Sequence, residues 1–369
     1  MGQGAGDDAG HAGGLRQMAR AGLRDLFPGY FALVMATGII SLACGMLGLP
    51  VLAQALFRLN IINYAVIAAL MVARLIRYPR LMLADLTDHS RGPGFFTSIA
   101  GSCVLGTQFV VIGHDSPMAW VLWGVGVALW FMVIYAFFAA VTAMRGVKPD
   151  LETGINGAWL IAIVGTQSVA ILSTLLLPTA GTYETALTTF ALIMYLMGCM
   201  LYLTIIPLIL YRFTFFRLTP AELTGPYWIN MGAVAITTLA GAILILNAGR
   251  SPLLTTLLPF LKGLTLYFWA TATWWIPLLL ILGVWRHLYR RFPLRYSPQY
   301  WGMVFPLGMY TACTTRLSQA VNLPLLAPAT PYLLAIALLA WGLTFAGLVH
   351  ELVRDLGRAR LPESPAPHG

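Results

Sequence analysis

Hydrophobicity in this chain is gathered into ten runs, near residues 27–48, 60–78, 95–113, 118–144, 156–177, 185–211, 227–247, 253–285, 300–321 and 330–353. Each is close to or above the ~20 residues that an α-helix, rising about 1.5 Å per residue, needs to cross a hydrocarbon layer ~30 Å thick. In lipid a single segment must satisfy its own backbone hydrogen bonds, so such runs dictate an all-α polytopic membrane protein with ten transmembrane helices. Composition agrees: 59% of the 369 residues are hydrophobic and 9% charged, against ~25% charged in a soluble domain. The run at 253–285 contains Pro259 and Pro277 and is long enough to be tilted or broken.

The net charge of +9 does not indicate nucleic acid, because Lys and Arg sit in short breaks between apolar runs rather than on one basic surface. All but four of the 22 basic residues fall in the N-terminal tail, the breaks after even-numbered runs, or the C-terminal tail. The exceptions are Arg58, Arg250, Lys262 and Arg316. The positive-inside rule then places both termini in the cytoplasm of a cell whose cytoplasmic membrane the chain spans. The division expected is a disordered tail with a basic interfacial segment over 1–26, a transport domain over 27–353 and a short cytoplasmic tail over 354–369. Arg16, Arg20 and Arg24, spaced by four, allow either an interfacial helix or a charged leader that only fixes topology. Cys44, Cys103, Cys199 and Cys313 lie in four different runs without metal-ligand spacing, and read as small packing residues.

The runs repeat in pairs. Gly106-Thr107-Gln108 in the third recurs as Gly165-Thr166-Gln167 in the fifth, and Tyr227-Trp228 opens the seventh as Tyr300-Trp301 opens the ninth. Ile206-Pro207-Leu208 and Ile276-Pro277-Leu278 occupy matching places in the sixth and eighth. One repeat is therefore a helical hairpin, and five hairpins running in the same sense suggest a pseudo-fivefold ring around a central pore. The odd runs hold the small and polar residues, the even ones more Leu, Trp and Phe, so the odd helices are expected inside. Thr37, Thr107, Thr166, Thr237 and Thr311 are the candidate pore-lining hydroxyls. The alternative for each is that small residues simply let helices pack closely. Pro306 removes a backbone hydrogen bond in the middle of the ninth run, which membrane helices tolerate best beside a cavity or a protein surface.

All thirteen Asp and Glu lie in tails, breaks or run ends, and the six histidines are equally peripheral. Neither a proton relay at membrane depth nor an acidic ring for cations can be built from them. A path lined by hydroxyls, glycine backbone and aromatic rings suits a small anion instead. Lys262 and Arg316 are candidates for an electropositive vestibule, with snorkelling to the interface as the alternative for both. No phosphate-binding loop, zinc signature or nucleophile elbow occurs, so no enzyme activity, cofactor or metal is expected.

Phe27-Pro28-Gly29-Tyr30-Phe31 leading into Met35-Ala36-Thr37-Gly38, the stretch NGAWLIAIVGTQSVA at 156–170, PYWINMGAVAITTLAGA at 226–242, TWWIPLLL at 273–280 and VFPLGMYTACTTRL at 304–317 together resemble the tellurite-resistance/dicarboxylate transporter family. That family includes plant guard-cell slow anion channels and fungal malate and sulfite transporters, and the resemblance spans roughly residues 25–355. It implies five hairpins around a pore in each subunit, a homotrimer in the bilayer, and inner helices kinked near their middles, with Pro306, Gly38, Gly165 and Gly232 as the matching positions. It also implies a phenylalanine that plugs the pore. Phe305, before the proline of the last motif, is the residue that matches; taken alone it reads as core or lipid-facing. The expected function is passage of small inorganic anions or C4-dicarboxylates through a phenylalanine-gated pore. The alternative is a proton-linked carrier or exporter of organic acids, sulfite or tellurite-type oxyanions.

Overall fold

A computed structural model describes residues 20–143 and 148–358. The basic positions before Arg20 and the tail after Arg358 lie outside the described residues; residues 20–24 are helical. Among the described residues all regular structure is helical, and ten long helices account for most of it. They are α1 (Ala32–Met46), α2 (Pro50–Arg77), α3 (Phe96–Gln108), α4 (Ser116–Ala143), α5 (Ile161–Leu175), α6 (Glu184–Phe215), α7 (Ile229–Leu246), α8 (Leu258–Val284), α9 (Trp301–Ala320) and α10 (Thr330–Arg358).

Nine of these, with their flanking turns, are long and apolar enough to cross a membrane. The remaining one, α9, has 20 residues but carries Thr311, Thr314, Thr315, Arg316 and Gln319, which lower its hydropathy. Most of its residues are buried, so its sequence answers to protein neighbours more than to lipid. The 253–285 run, expected to be tilted or broken, is broken: a short helix at Pro252–Thr256 ends before α8, which then runs unbroken through Pro277.

Each odd helix packs on the even helix that follows it, and the odd helices touch one another in a closed cycle: α1 on α3, α3 on α5, α5 on α7, α7 on α9 and α9 on α1. The odd helices are the inner layer. The membrane-length windows of α1, α3, α5 and α7 are 72–94% buried, those of the even helices 17–44%. The exposed surface of the even helices is apolar, with Ile76, Met132, Leu203, Ile281 and Leu343 among its large side chains, as a lipid-facing layer requires.

All five inner helices begin with a 3₁₀ turn, at Pro28–Phe31, Gly92–Phe95, Gly157–Leu160, Gly225–Trp228 and Pro298–Tyr300. These turns form their own closed cycle of contacts. Glycine makes that possible. A Cβ on Gly94 would stand 2.9 Å from the Gly29 nitrogen, and one on Gly157 or Gly225 would run into the backbone of Pro226 or Gln299. The collar end of the bundle, where inner helices start, is called the near end below; the opposite end is the far end.

Every junction between an even helix and the next odd helix carries a hydrogen bond from a large aromatic side chain. Tyr64 of α2 pairs with Ser102 of α3 at 2.9 Å, and Trp130 of α4 donates to Thr166 of α5 at 2.8 Å. Tyr202 of α6 donates to the Asn230 carbonyl of α7 at 3.4 Å; Trp269 of α8 and Trp341 of α10 each donate at 3.1 Å, to Thr314 of α9 and Thr37 of α1. A buried indole N–H or phenol needs such a partner, and with no water in the membrane interior the inner helix must supply it.

Candidate functional site

Two cavities are each lined by residues from all five inner helices or their leading turns. The near-end cavity is bordered by Met35, Thr97, Val164, Ile229, Gln299 and Phe305, among others, and measures about 30 Å³. At ~10–15 Å³ per enclosed water it has room for about two to three waters. Phe305 is 1% exposed and is one of the bulky groups that leave it so small. The next residue, Pro306, has no N–H, so the Gly302 carbonyl, also on this cavity, has no helical donor one turn later.

The far-end cavity measures about 180 Å³ and is lined by Leu42, Thr107, Ile171, Leu239, Asn247 and Arg316 with further apolar side chains. Arg316 donates through Nη1 to Gln319 at 3.0 Å. Neither cavity has an acidic residue on its wall. Following the face of α9 by steps of three and four leads from Phe305 through Met309 and Ala312 to Arg316, and the face of α1 runs Met35, Ile39, Leu42. Ile39 and Met309 are each 1% exposed and Ala312 is fully buried. The stretch between the two cavities is thus packed and apolar.

The candidate residues divide sharply. Phe305, Thr107 and Arg316 border the cavities. Thr37 and Thr166 do not: their hydroxyls accept from Trp341 and Trp130 at the junctions with outer helices. Thr237 and Thr311 are buried, donate to the Ala233 and Leu307 carbonyls of their own helices, and line neither cavity. These four therefore stand at helix contacts rather than on either cavity. Lys262 is exposed on the outer helix α8 and is absent from the cavity that Arg316 borders. Its snorkelling alternative fits that placement.

The glycines expected at kinks lie within unbroken helical segments and serve as contact points. A Cβ on Gly38 would collide with Val104 of α3, and one on Gly232 would stand 2.6 Å from Pro306 Cγ of α9. At Gly165 the nearest neighbour would be Ile99 Cβ at 3.4 Å, an ordinary contact. The four cysteines are buried and unpaired, as packing residues would be. Thr97, Gln299 and Asn247 are polar residues on the cavities that sequence reasoning missed. The Tyr-Trp pair that opens the ninth run, next to Gln299, was a signal for that residue alone.

The chain is 30% identical over 303 residues to an uncharacterized transporter of Methanocaldococcus jannaschii, covering 79% of this chain and 83% of that one. It is 38% identical over 159 residues to an uncharacterized membrane protein of Mycobacterium tuberculosis, covering 43% of this chain and 80% of that protein. It is also similar to a sulfite efflux pump of Trichophyton rubrum, at 25% identity over 351 residues, 89% of this chain and 91% of the pump. The model of the voltage-dependent anion channel family matches residues 25–349, and the chain belongs to that family, within the broader tellurite-resistance/dicarboxylate transporter group that its sequence motifs resemble.

Proposed function

We propose that the chain passes small anions across the cytoplasmic membrane through the axis of its five inner helices, with Phe305 as the closing element. Five hairpins then form a ring of ten spanning helices, both termini face the cytoplasm, and the near end is the cytoplasmic end. The observation that carries the reading is the near-end cavity: all five inner segments converge on a space of about 30 Å³ bordered by Phe305. A space that small excludes a hydrated ion, and an apolar ring beside it opposes wetting. Turning the ring aside would join that space toward the far-end cavity.

Selectivity in this reading comes from Arg316. A single cation in a mostly apolar vestibule with no acidic neighbour raises the local concentration of anions and repels cations. The homotrimer expected from the resemblance fits the large apolar outer surface, which lipid and neighbouring subunits would share. Small inorganic anions and C4-dicarboxylates are both within the proposed substrate range.

A second reading, a proton-linked exporter of sulfite or similar oxyanions, draws on the similarity to fungal sulfite efflux pumps over 351 residues. The test is flux in liposomes containing the purified protein, comparing chloride, nitrate, sulfite and malate for wild type and Phe305→Ala. Passive flux that rises in Phe305→Ala supports the gated pore. Flux that requires an imposed proton gradient in both proteins replaces it with the coupled carrier.

A further inference from the structure

Three outer helices end at the near end in buried arginines, and the three are not equally satisfied. Arg74, 2% exposed at the end of α2, donates to Asp85 at 2.7 Å and to the Arg24 carbonyl at 3.1 Å, with Nη1 buried and without an acceptor among the described residues. Arg212, 5% exposed at the end of α6, donates to the Tyr227 hydroxyl, to the Glu152 carbonyl and to Glu222 at 3.2 Å. Each thus has a carboxylate from the segment that follows its helix, and burying a guanidinium demands one.

Arg286, 9% exposed, occupies the matching place after α8 and has none among the described residues. It sits in a π-helical turn, Trp285–Tyr289, that continues α8. Nη1 donates to the Leu223 carbonyl, Nε is buried without an acceptor among the described residues, and the Phe292 ring lies 4.4 Å from the guanidinium carbon. Where the sister segments carry Asp85 and Glu222, this one carries the neutral Tyr296, and the other ionisable residues between Arg286 and Tyr296 are His287, Tyr289, Arg290, Arg291 and Arg295. Glu351 of α10, near Tyr296, is engaged by Arg354 at 3.0 Å.

A cavity of about 340 Å³ opens beside Arg286, lined also by Arg295, Tyr296, Ser297, Gln299 and Tyr300. It offers two guanidinium groups, hydroxyls and an amide, and no carboxylate. That donor set suits a phosphate-like oxyanion, which accepts from several donors at once and neutralises a forked guanidinium. We infer that this cavity binds one such oxyanion, from solution or from a lipid headgroup, which serves as the counter-ion that Asp85 and Glu222 provide elsewhere. Gln299 borders this cavity and the Phe305 cavity alike, so the occupant would sit one side chain from the constriction.

The test is thermal unfolding of the full chain in phosphatidylcholine nanodiscs, titrated with inorganic phosphate at constant ionic strength. Saturable stabilisation is expected, with half-saturation raised about tenfold or more in Arg286→Gln and less in the exposed Arg295→Gln. Arg316→Gln should leave it unchanged, which separates this site from the proposed transport path. Nanodiscs doped with phosphatidic acid distinguish the sources: loss of the response to added phosphate identifies the headgroup, and an unchanged response identifies the free anion. The inference is overturned if phosphate gives no shift in either lipid, or the same shift in wild type and Arg295→Gln and, where it folds, in Arg286→Gln. Arg295 is on the surface, so its variant keeps the test available if Arg286→Gln does not fold.

Discussion

Replacing Thr166 by valine tests whether the hydroxyls of the inner helices serve transport or architecture. Valine keeps the shape and removes the oxygen that accepts from Trp130 at 2.8 Å and donates to the Ala162 carbonyl at the same distance. Trp130 is 3% exposed, so its indole N–H is left buried with no replacement partner. Orphaning a buried donor costs ~1–3 kcal/mol, whereas helix-to-helix bonds in membrane proteins average ~0.6 and reach ~1.7. The structure therefore gives about 1–2 kcal/mol for Thr166→Val. Unfolding in mixed micelles should show that loss, and Trp130→Phe in the Thr166→Val background should restore part of it, since no donor is then orphaned. Anion flux per folded protein should be unchanged. Unchanged stability with altered ion preference would refute the reasoning and return Thr166 to the pore.

Arg316→Gln should lower the preference for anions over cations in bilayer recordings while leaving thermal stability close to wild type, because Gln319 is its sole side-chain partner among the described residues. Gly157→Ala should destabilise by ~1–3 kcal/mol, since the new methyl meets the Pro226 carbonyl and stands 2.8 Å from Tyr227 Cα, whereas Gly165→Ala, with 3.4 Å of clearance, should be close to neutral; equal unfolding temperatures for the two would dismiss the collar. The Glu222 carboxyl accepts from the Thr219 hydroxyl and backbone N–H, and with Arg212 beside it is held below its ordinary 4.5. Its contribution to stability is therefore complete above about pH 4.5 and is lost as pH falls through the lower folded value. Thr219→Ala should shift that loss to higher pH in melting curves, and Glu222→Gln should remove it.

The ten runs were legible because length and apolar content are read directly from residues, and the inside position of the odd helices followed from their Gly and Thr content. Helix ends were less legible. The second helix begins at Pro50 rather than near residue 60, and the last runs on to Arg358, because Gln54, Arg58 and Arg354 extend beyond the apolar stretch without ending the helix. Phase was least legible of all. Thr107 and Thr166 stand at matching places in the repeated Gly-Thr-Gln triplet, yet Thr107 borders a cavity and Thr166 meets an indole. The signal that separates them lies on another helix: Trp130, Trp269 and Trp341 each need an acceptor, and a count of indoles on the even runs would have claimed hydroxyls for them. Phe305 was reached through the resemblance, since no periodicity distinguishes it from any other buried aromatic.

The contact that closes the inner layer joins the beginning of the chain to its end. Gly308 of α9 packs against Ile39 and Ile40 of α1, and Trp341 bonds Thr37 across 304 residues. At ~5–20 residues per second, synthesis separates those partners by roughly 15–60 s. Throughout that interval the first hairpin is in the membrane with the flank that will receive α9 and α10 uncovered. Thr37 has no indole to bond, and the small residues around it meet lipid that they do not fit. The inner layer therefore closes only when the last hairpin is made, whatever covers that flank in the meantime.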